Sequence, residues 1–209
     1  MSKRGTLVVV SGFSGAGKGT LMSRLLDKHD HYALSISATT RQPREGEKDG
    51  EEYFFISEGE FEQLIKEDKL IEYAKYVCHY YGTPEEYVEK MLNEGKDVIL
   101  EIEIQGALEV KEKYPETLLL FVVPPSTEEL KNRLVMRGTE CDEIIDKRIE
   151  RAVEEAKGMA KYDHILVNDD VEECVDEMDS IIQGEKDKAN SHEELIKEIQ
   201  EDLINYISQ

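Results

Sequence analysis

Nine consecutive residues, Gly12-Phe13-Ser14-Gly15-Ala16-Gly17-Lys18-Gly19-Thr20, carry the strongest chemical signal in the sequence. Their Gly-x4-Gly-Lys spacing lets successive backbone N–H groups turn toward one anion. A β-branched run, Thr6 to Ser11, precedes the loop, and Leu21, Met22, Leu25 and Leu26 follow it at helical spacing. A strand entering and a helix leaving set a helix N-terminus behind the anion, and Lys18 adds a mobile positive charge for the β- and γ-phosphates. The general pattern has Ser or Thr directly after the lysine to hold Mg²⁺, whereas here Gly19 stands there and Thr20 comes one residue later. Either Thr20 helps indirectly, or the metal is held mainly by nucleotide phosphates and water, since Mg²⁺ keeps several waters.

Other side chains fit the same anionic chemistry. Arg41 and Arg44 flank Pro43 in the segment Ser37 to Glu47, so two guanidinium forks are held for a phosphate dianion bound from two sides. Tyr53 and the Tyr80-Tyr81-Gly82-Thr83 turn offer phenolic donors. Arg133 and Arg137 stand four apart on one helix face, in an otherwise acidic segment, and suit a lid closing over a nucleotide. On the strand expected over Asp97 to Ile104, the period of two puts Glu101 and Glu103 on one face near the C-terminal end, where open α/β sheets bind ligands.

The elements that must position these groups are legible from periodicity. Strands are expected at Thr6–Ser11, Asp97–Ile104, Leu118–Val123 and His164–Val167, separated by helical patterns at Ala107–Lys113, Ser126–Arg137, Cys141–Lys157 and Val171–Gln183. Such alternation predicts a parallel α/β sheet with helices on both faces. Residues 33–95 interrupt it as an inserted lobe. Short strands are expected there at Tyr32–Ser37 and Glu52–Ile56, a Ser57/Glu60 capping box opens one helix, and a second helix starts at Thr83-Pro84. Ser126 and Glu129 form another capping box, and Gly138-Thr139-Glu140 turns between the two arginine-bearing helices. In the tail, Leu195, Ile196, Ile199, Leu203, Ile204 and Ile207 space as one helical stripe, expected to pack on the core, with an oligomer contact as the sharper alternative.

Charge narrows the class of ligand. The 209 residues carry a net charge of −21, which argues against a nucleic-acid polymer as partner. Residues 1–44 nevertheless hold seven Lys/Arg against two acids, a net +5 that leaves −26 for the rest. A basic island in an acidic chain suits a small anionic ligand. No apolar run approaches the roughly 20 residues of a membrane span. The N-terminus lacks a secretory pattern, and three scattered cysteines (Cys78, Cys141, Cys174) support neither a disulfide framework nor a zinc site, so a cytoplasmic location is expected.

The ending Gly-Lys-Gly-Thr resembles that of nucleoside monophosphate kinases. The phosphate loop, SATTRQPREGE, IEYA, YYGT, LEIEIQGA, PPS, RGTE and VNDD together resemble guanylate kinase, in order, from about residue 5 to 183. The resemblance implies a P-loop NTPase-type parallel sheet flanked by helices, with an inserted GMP-binding lobe and a helical lid. The core would comprise 1–32, 96–125 and 158–184, the lobe 33–95, the ATP lid 126–157, and an acidic helical extension 185–209. It implies transfer of the γ-phosphoryl of MgATP to GMP, and also dGMP, by a monomer or homodimer. Gly12, Ser14, Gly15, Ala16, Gly17, Lys18, Gly19, Thr20, Arg133, Arg137 and Asn168 would hold ATP, with Asn168 at the adenine. Lys18, Arg133, Arg137 and Arg148 would carry the catalysis. Arg41, Arg44, Tyr53 and Tyr81 would hold the GMP phosphate, and Ser37, Glu72, Thr83 and Glu103 would read guanine, with Glu101 beside them or on a metal-bound water. Family members commonly carry aspartate at one or both of the last two positions, so the division between Glu101 and Glu103 stays open. The chemistry agrees: guanine presents N1–H and its 2-amino group as donors, and a buried carboxylate accepting both selects it, whereas adenine leaves that carboxylate unpaired, at about 1–3 kcal/mol or more. The rival readings are a peptide-binding scaffold domain, which typically has a degraded phosphate loop, and a kinase of another small acceptor, against which Ser37, Glu72 and Thr83 argue.

Overall fold

A computed structural model describes residues 4–76, 78–136, 142–188 and 193–207. Five parallel strands form the central sheet: β1 (Leu7–Gly12), β2 (Tyr32–Leu34), β7 (Asp97–Glu101), β8 (Leu118–Val123) and β9 (His164–Val167), in the order β2-β7-β1-β8-β9. Strand periodicity divides its side chains between two cores. Val8, Val10, Leu120 and Val122 pack under α1 (Lys18–Lys28) and α7 (Val171–Glu185). Leu7, Val9, Leu119 and Phe121 face α3 (Glu85–Asn93) and α4 (Ile104–Lys113). Strands buried on both faces read as continuous apolar runs, as LVVV and LLLFVV do.

A second, mixed sheet has the order β4-β3-β6-β5, from β3 (Ala38–Thr39), β4 (Phe54–Phe55), β5 (Leu70–Tyr76) and β6 (His79–Pro84). α2 (Glu58–Lys66) covers it by burying Phe61 against Ala38 and Leu70, and its Ser57/Glu60 capping box is fully formed. The two helices α5 (Thr127–Met136) and α6 (Asp142–Ala156) share a small core of Leu130, Leu134, Ile145 and Ala152. Phe13, in the glycine-rich loop, packs partly buried against this core and against both cores of the central sheet.

Four local expectations are corrected. β2 pairs with β7 and α3 packs on the same sheet, so both belong to the central layer although residues 33–34 of β2 and all of α3 lie within 33–95. Thr83 lies in β6 and Pro84 is the N-cap of α3, so no hydroxyl caps that helix. β7 stops at Glu101, and Glu103 is instead the N-cap of α4, so the shared strand face for these two acids does not exist. The tail forms α8 (Glu193–Ile207), but Ile196, Ile199, Leu203 and Ile204 are exposed rather than packed on the core. Arg137, the Gly138-Thr139-Glu140 turn, Cys141 and the side chains of Leu195 and Ile207 lie outside the described residues.

Candidate active site

The phosphate loop is held in shape from below. Gly15 and Gly17 adopt φ near +95° and +92°, in the left-handed region that side-chain-bearing residues avoid. A Cβ on Gly17 would also lie 2.5 Å from Asn168 Nδ2. That amide donates to the Ala16 carbonyl at 2.7 Å, and Asn168 is 2% exposed. Asn168 therefore braces the loop through its amide nitrogen, while its Oδ1 is buried with no hydrogen-bond partner among the described residues. Arg133 completes the brace, donating through Nη2 to the Asn168 carbonyl at 3.0 Å while its Nε meets Glu129 at 2.7 Å. Ser126 still caps α5 by accepting from the Glu129 N–H, but the Glu129 carboxylate has turned to Arg133.

Lys18 Nζ donates to the carbonyl of Gly12 at 2.8 Å, which keeps its charge at the mouth of the loop. Arg148 reaches over from α6 and donates to Ser14 Oγ at 2.7 Å. Gly19 faces open space and Thr20 is exposed at the first turn of α1. Around Lys18 and Arg148 lies a hollow of about 570 Å³ that also takes in Glu101, Glu103, Lys147 and Arg151. Arg151 has the character of a site residue that spacing did not reveal: it pairs with Glu103 and, at 3.0 Å, with Glu155. Burial raises the Glu155 carboxyl pKa, against the pull of Arg151 and Lys18. The sequence signal for Arg151 is its place one helical turn after Arg148, which reads equally as a surface salt bridge with nearby acids.

The lobe supplies an adjoining hollow of about 460 Å³ lined by Ser37, Tyr53, Glu72, Tyr81, Glu101 and Glu103 among others. The two hollows share Tyr76, Glu101, Ile102 and Glu103. Glu72 points into the lobe hollow because β5 breaks register between Leu70 and Tyr73, and such a bulge re-aims the side chains it contains. Its Oε1 accepts from Thr83 Oγ1 at 2.7 Å, and its Oε2 would lie 3.2 Å from a Cβ on Gly106, so the glycine leaves it room. Burial raises the Glu72 carboxyl pKa above the usual range.

Arg41 lies against the Tyr53 ring, 5.3 Å from its centroid, and Tyr53 meets Tyr81 edge-on at 6.1 Å. Both arms of the Arg41 fork are held by Glu47, at 2.8 and 2.9 Å, and Glu47 also accepts from the Arg44 N–H. These bonds hold the Glu47 carboxyl down at about 2. A carboxylate thus occupies both arms of the Arg41 fork, and Glu47 was not singled out from the sequence. The Arg44 side chain is exposed. Glu101 and Glu103 are likewise exposed, at the seam of the two hollows.

The sequence model of the family described as guanylate kinase matches residues 4–185. A guanylate kinase of Caldanaerobacter subterraneus subsp. tengcongensis is 52% identical over 204 residues, covering 98% of this chain and 99% of its own length. That of Bacillus subtilis is 50% identical over 186 residues, 88% of this chain and 91% of its own. The crystal structure of guanylate kinase from Anaplasma phagocytophilum superposes with a TM-score of 0.70 at 31% identity, over 90% of this chain and 89% of that one.

Proposed function

This chain belongs to the guanylate kinase family and transfers the γ-phosphoryl of ATP to GMP, giving ADP and GDP, and from that premise we propose how its residues divide the work. The loop Gly12 to Thr20 receives the ATP phosphates, with Lys18 on the outer phosphates and Arg133, Arg137 and Arg148 stabilising the charge on the transferring group. Arg41, Arg44, Tyr53 and Tyr81 receive the GMP phosphate. Ser37, Glu72, Thr83 and Glu103 read guanine, and Glu72 does so best as an ionised acceptor of N1–H and the 2-amino group. The loop, the lobe and the α5–α6 lid then act as core, acceptor domain and lid. Asn168 contacts the adenine of ATP and also braces the loop that holds the phosphates.

One observation carries this reading. The phosphate-loop hollow and the lobe hollow adjoin along Tyr76, Glu101, Ile102 and Glu103, so a donor in one and an acceptor in the other meet over the end of β7. The attacking atom is a GMP phosphate oxygen, already anionic at neutral pH, so no protein base and no covalent intermediate are needed. It bonds to the γ-phosphorus as the β–γ bridging bond breaks, and the electron pair leaves with ADP. Seating the GMP phosphate on Arg41 requires that Glu47 release its fork.

The oxygen donors Glu101 and Thr20 suit a hard cation such as Mg²⁺, and with Gly19 after Lys18 the cation would be held largely by phosphate and water. Bound there, Mg²⁺ supplies charge neutralisation between the phosphates. dGMP serves as a second acceptor, the working form is a monomer or a homodimer, and the protein acts in the cytoplasm, where both nucleotides are found. No helix among the described residues is long and apolar enough to cross a membrane. The test is ADP release from MgATP against GMP, dGMP, AMP, UMP and CMP, in the parent and in Lys18→Ala and Glu72→Gln. The division holds if Lys18→Ala abolishes turnover with every acceptor and Glu72→Gln lowers it with the guanine nucleotides alone. Equal losses across the acceptors in Glu72→Gln would overturn the guanine-reading assignment.

A further inference from the structure

Among the described residues, one group of three metal-ligating side chains converges: His29, His31 and Asp179, whose candidate ligand atoms all lie within 4.8 Å of one another. His29 ends α1, His31 lies in the turn before β2, and Asp179 projects from α7. They stand at the N-terminal edge of a parallel sheet whose C-terminal edge carries the phosphate loop, so this group is outside the site described above. His31 Nε2 is 3.6 Å from Asp179 Oδ1, and His29 Nε2 is 4.0 Å from the same oxygen. Three ligands in tetrahedral array on a metal with bonds of about 2.0–2.2 Å are separated by about 3.4 Å. The carboxylate and His31 are therefore near ligand spacing, and His29 needs a side-chain adjustment of no more than about 1.5 Å.

Three further observations point to a ligand. His29 Nε2 is buried with no hydrogen-bond partner among the described residues, a costly state for an imidazole nitrogen that coordination would relieve. Asp179 is oriented by a second group: its Oδ1, the oxygen facing the histidines, also accepts from Tyr32 Oη at 2.7 Å, which fixes the carboxylate in place. His31 Nε2 is easily released: the Gln183 amide nitrogen beside it at 3.1 Å also has Tyr32 Oη at 3.0 Å and Asp97 Oδ2 at 3.1 Å, and its two hydrogens satisfy only two of the three. Lys186, the nearby cation, is drawn to Asp97 at 2.7 Å. No lysine or arginine salt bridge reaches Asp179 among the described residues.

We propose that His29, His31 and Asp179 form a binding site for a borderline divalent transition ion of the zinc class, completed by water and tying the α1–β2 turn to α7. Two imidazoles and one carboxylate favour such an ion over Mg²⁺ or Ca²⁺, which prefer all-oxygen sets. Because the ligands come from segments about 150 residues apart in sequence, binding favours the folded chain and raises its unfolding temperature.

The test uses the full chain without nucleotide, after chelator treatment, titrated with Zn²⁺ by calorimetry and with Co²⁺ by visible absorption. Expected are one ion per chain, a visible Co²⁺ band, and a thermal midpoint raised by about 5–10 °C at Zn²⁺ a hundredfold above its dissociation constant. His31→Gln, His29→Gln and Asp179→Asn should each weaken Zn²⁺ binding at least tenfold and remove the Co²⁺ band, while the guanylate kinase rate of each variant, freed of bound ions by chelator, exchanged out of it and assayed in Mg²⁺ without Zn²⁺, stays at the parent value and reports an intact fold. Unchanged Zn²⁺ affinity in the histidine variants would assign the ion to another site and overturn the proposal. Absence of any binding or midpoint shift up to 100-fold excess over protein would overturn it equally.

Discussion

Replacing Glu72 by Gln removes a charge from the lobe hollow with almost no change in volume. Oε1 can remain the acceptor of the Thr83 hydroxyl now 2.7 Å away, so the amide nitrogen takes the place of Oε2 beside Gly106. There an acceptor becomes a donor and faces the guanine donors head-on. The loss is that of a charge-assisted hydrogen bond with its partners left unsatisfied, about 1.5–3 kcal/mol, or about ten- to 150-fold in kcat/KM for GMP. AMP, which has no matching donor pair, should change by less than about threefold, so GMP/AMP discrimination falls by nearly the whole factor. Burial already disfavours the charged form of Glu72, so the neutral variant should melt no lower than the parent. Coupled ADP release with both acceptors measures the discrimination, and calorimetry measures the midpoint. A loss with GMP below threefold, or an equal loss with AMP, would refute the argument and leave Glu72 a mere prop for Thr83.

The same carboxyl makes a pH prediction: burial raises its pKa, so as pH falls it protonates before an ordinary carboxyl does, and the KM for GMP should rise with that protonation in the parent and stay flat in Glu72→Gln. Gly17→Ala forces a Cβ into Asn168 Nδ2 and a left-handed φ onto alanine, and should cost about 1–3 kcal/mol in denaturant melts along with most nucleotide affinity. Glu47 has its pKa lowered to about 2 by Arg41 and by the Arg44 N–H, so the stability it contributes is present above its ordinary carboxylate range and lost as pH falls to about 2. The stability gap between parent and Glu47→Gln should accordingly close over that window, as followed by urea melts. Arg148→Ala removes the reach from α6 to Ser14 and should lower kcat at least tenfold with GMP binding little changed, as read by single-turnover kinetics and equilibrium titration.

What the sequence determined by itself is local. The glycine loop between strand and helix, the apolar runs of β1 and β8, the Ser57/Glu60 capping box and the paired arginines around Pro43 depend on neighbours within a few residues, where backbone preference and side-chain period act directly. The order of motifs extended this to the family. Tertiary structure decided everything that pairs distant segments. Asn168 braces Ala16 from 152 residues away, and Arg133 meets the carbonyl of Asn168, because β9 and α5 happen to converge beneath the loop. The bulge that aims Glu72, the hold of Glu47 on Arg41, and the hold of Glu103 on Arg151 follow from side-chain geometry that no periodicity records. Glu103 shows the limit most plainly: an alternating LEIEI run reads as strand to its end, yet the chain turns into α4 after Ile102, since the helix packing Ala107 and Val110 on the sheet must begin there. Propensity is worth a few tenths of a kcal/mol per residue, whereas burying those two side chains is worth about 1–3 kcal/mol, so the packing set the boundary.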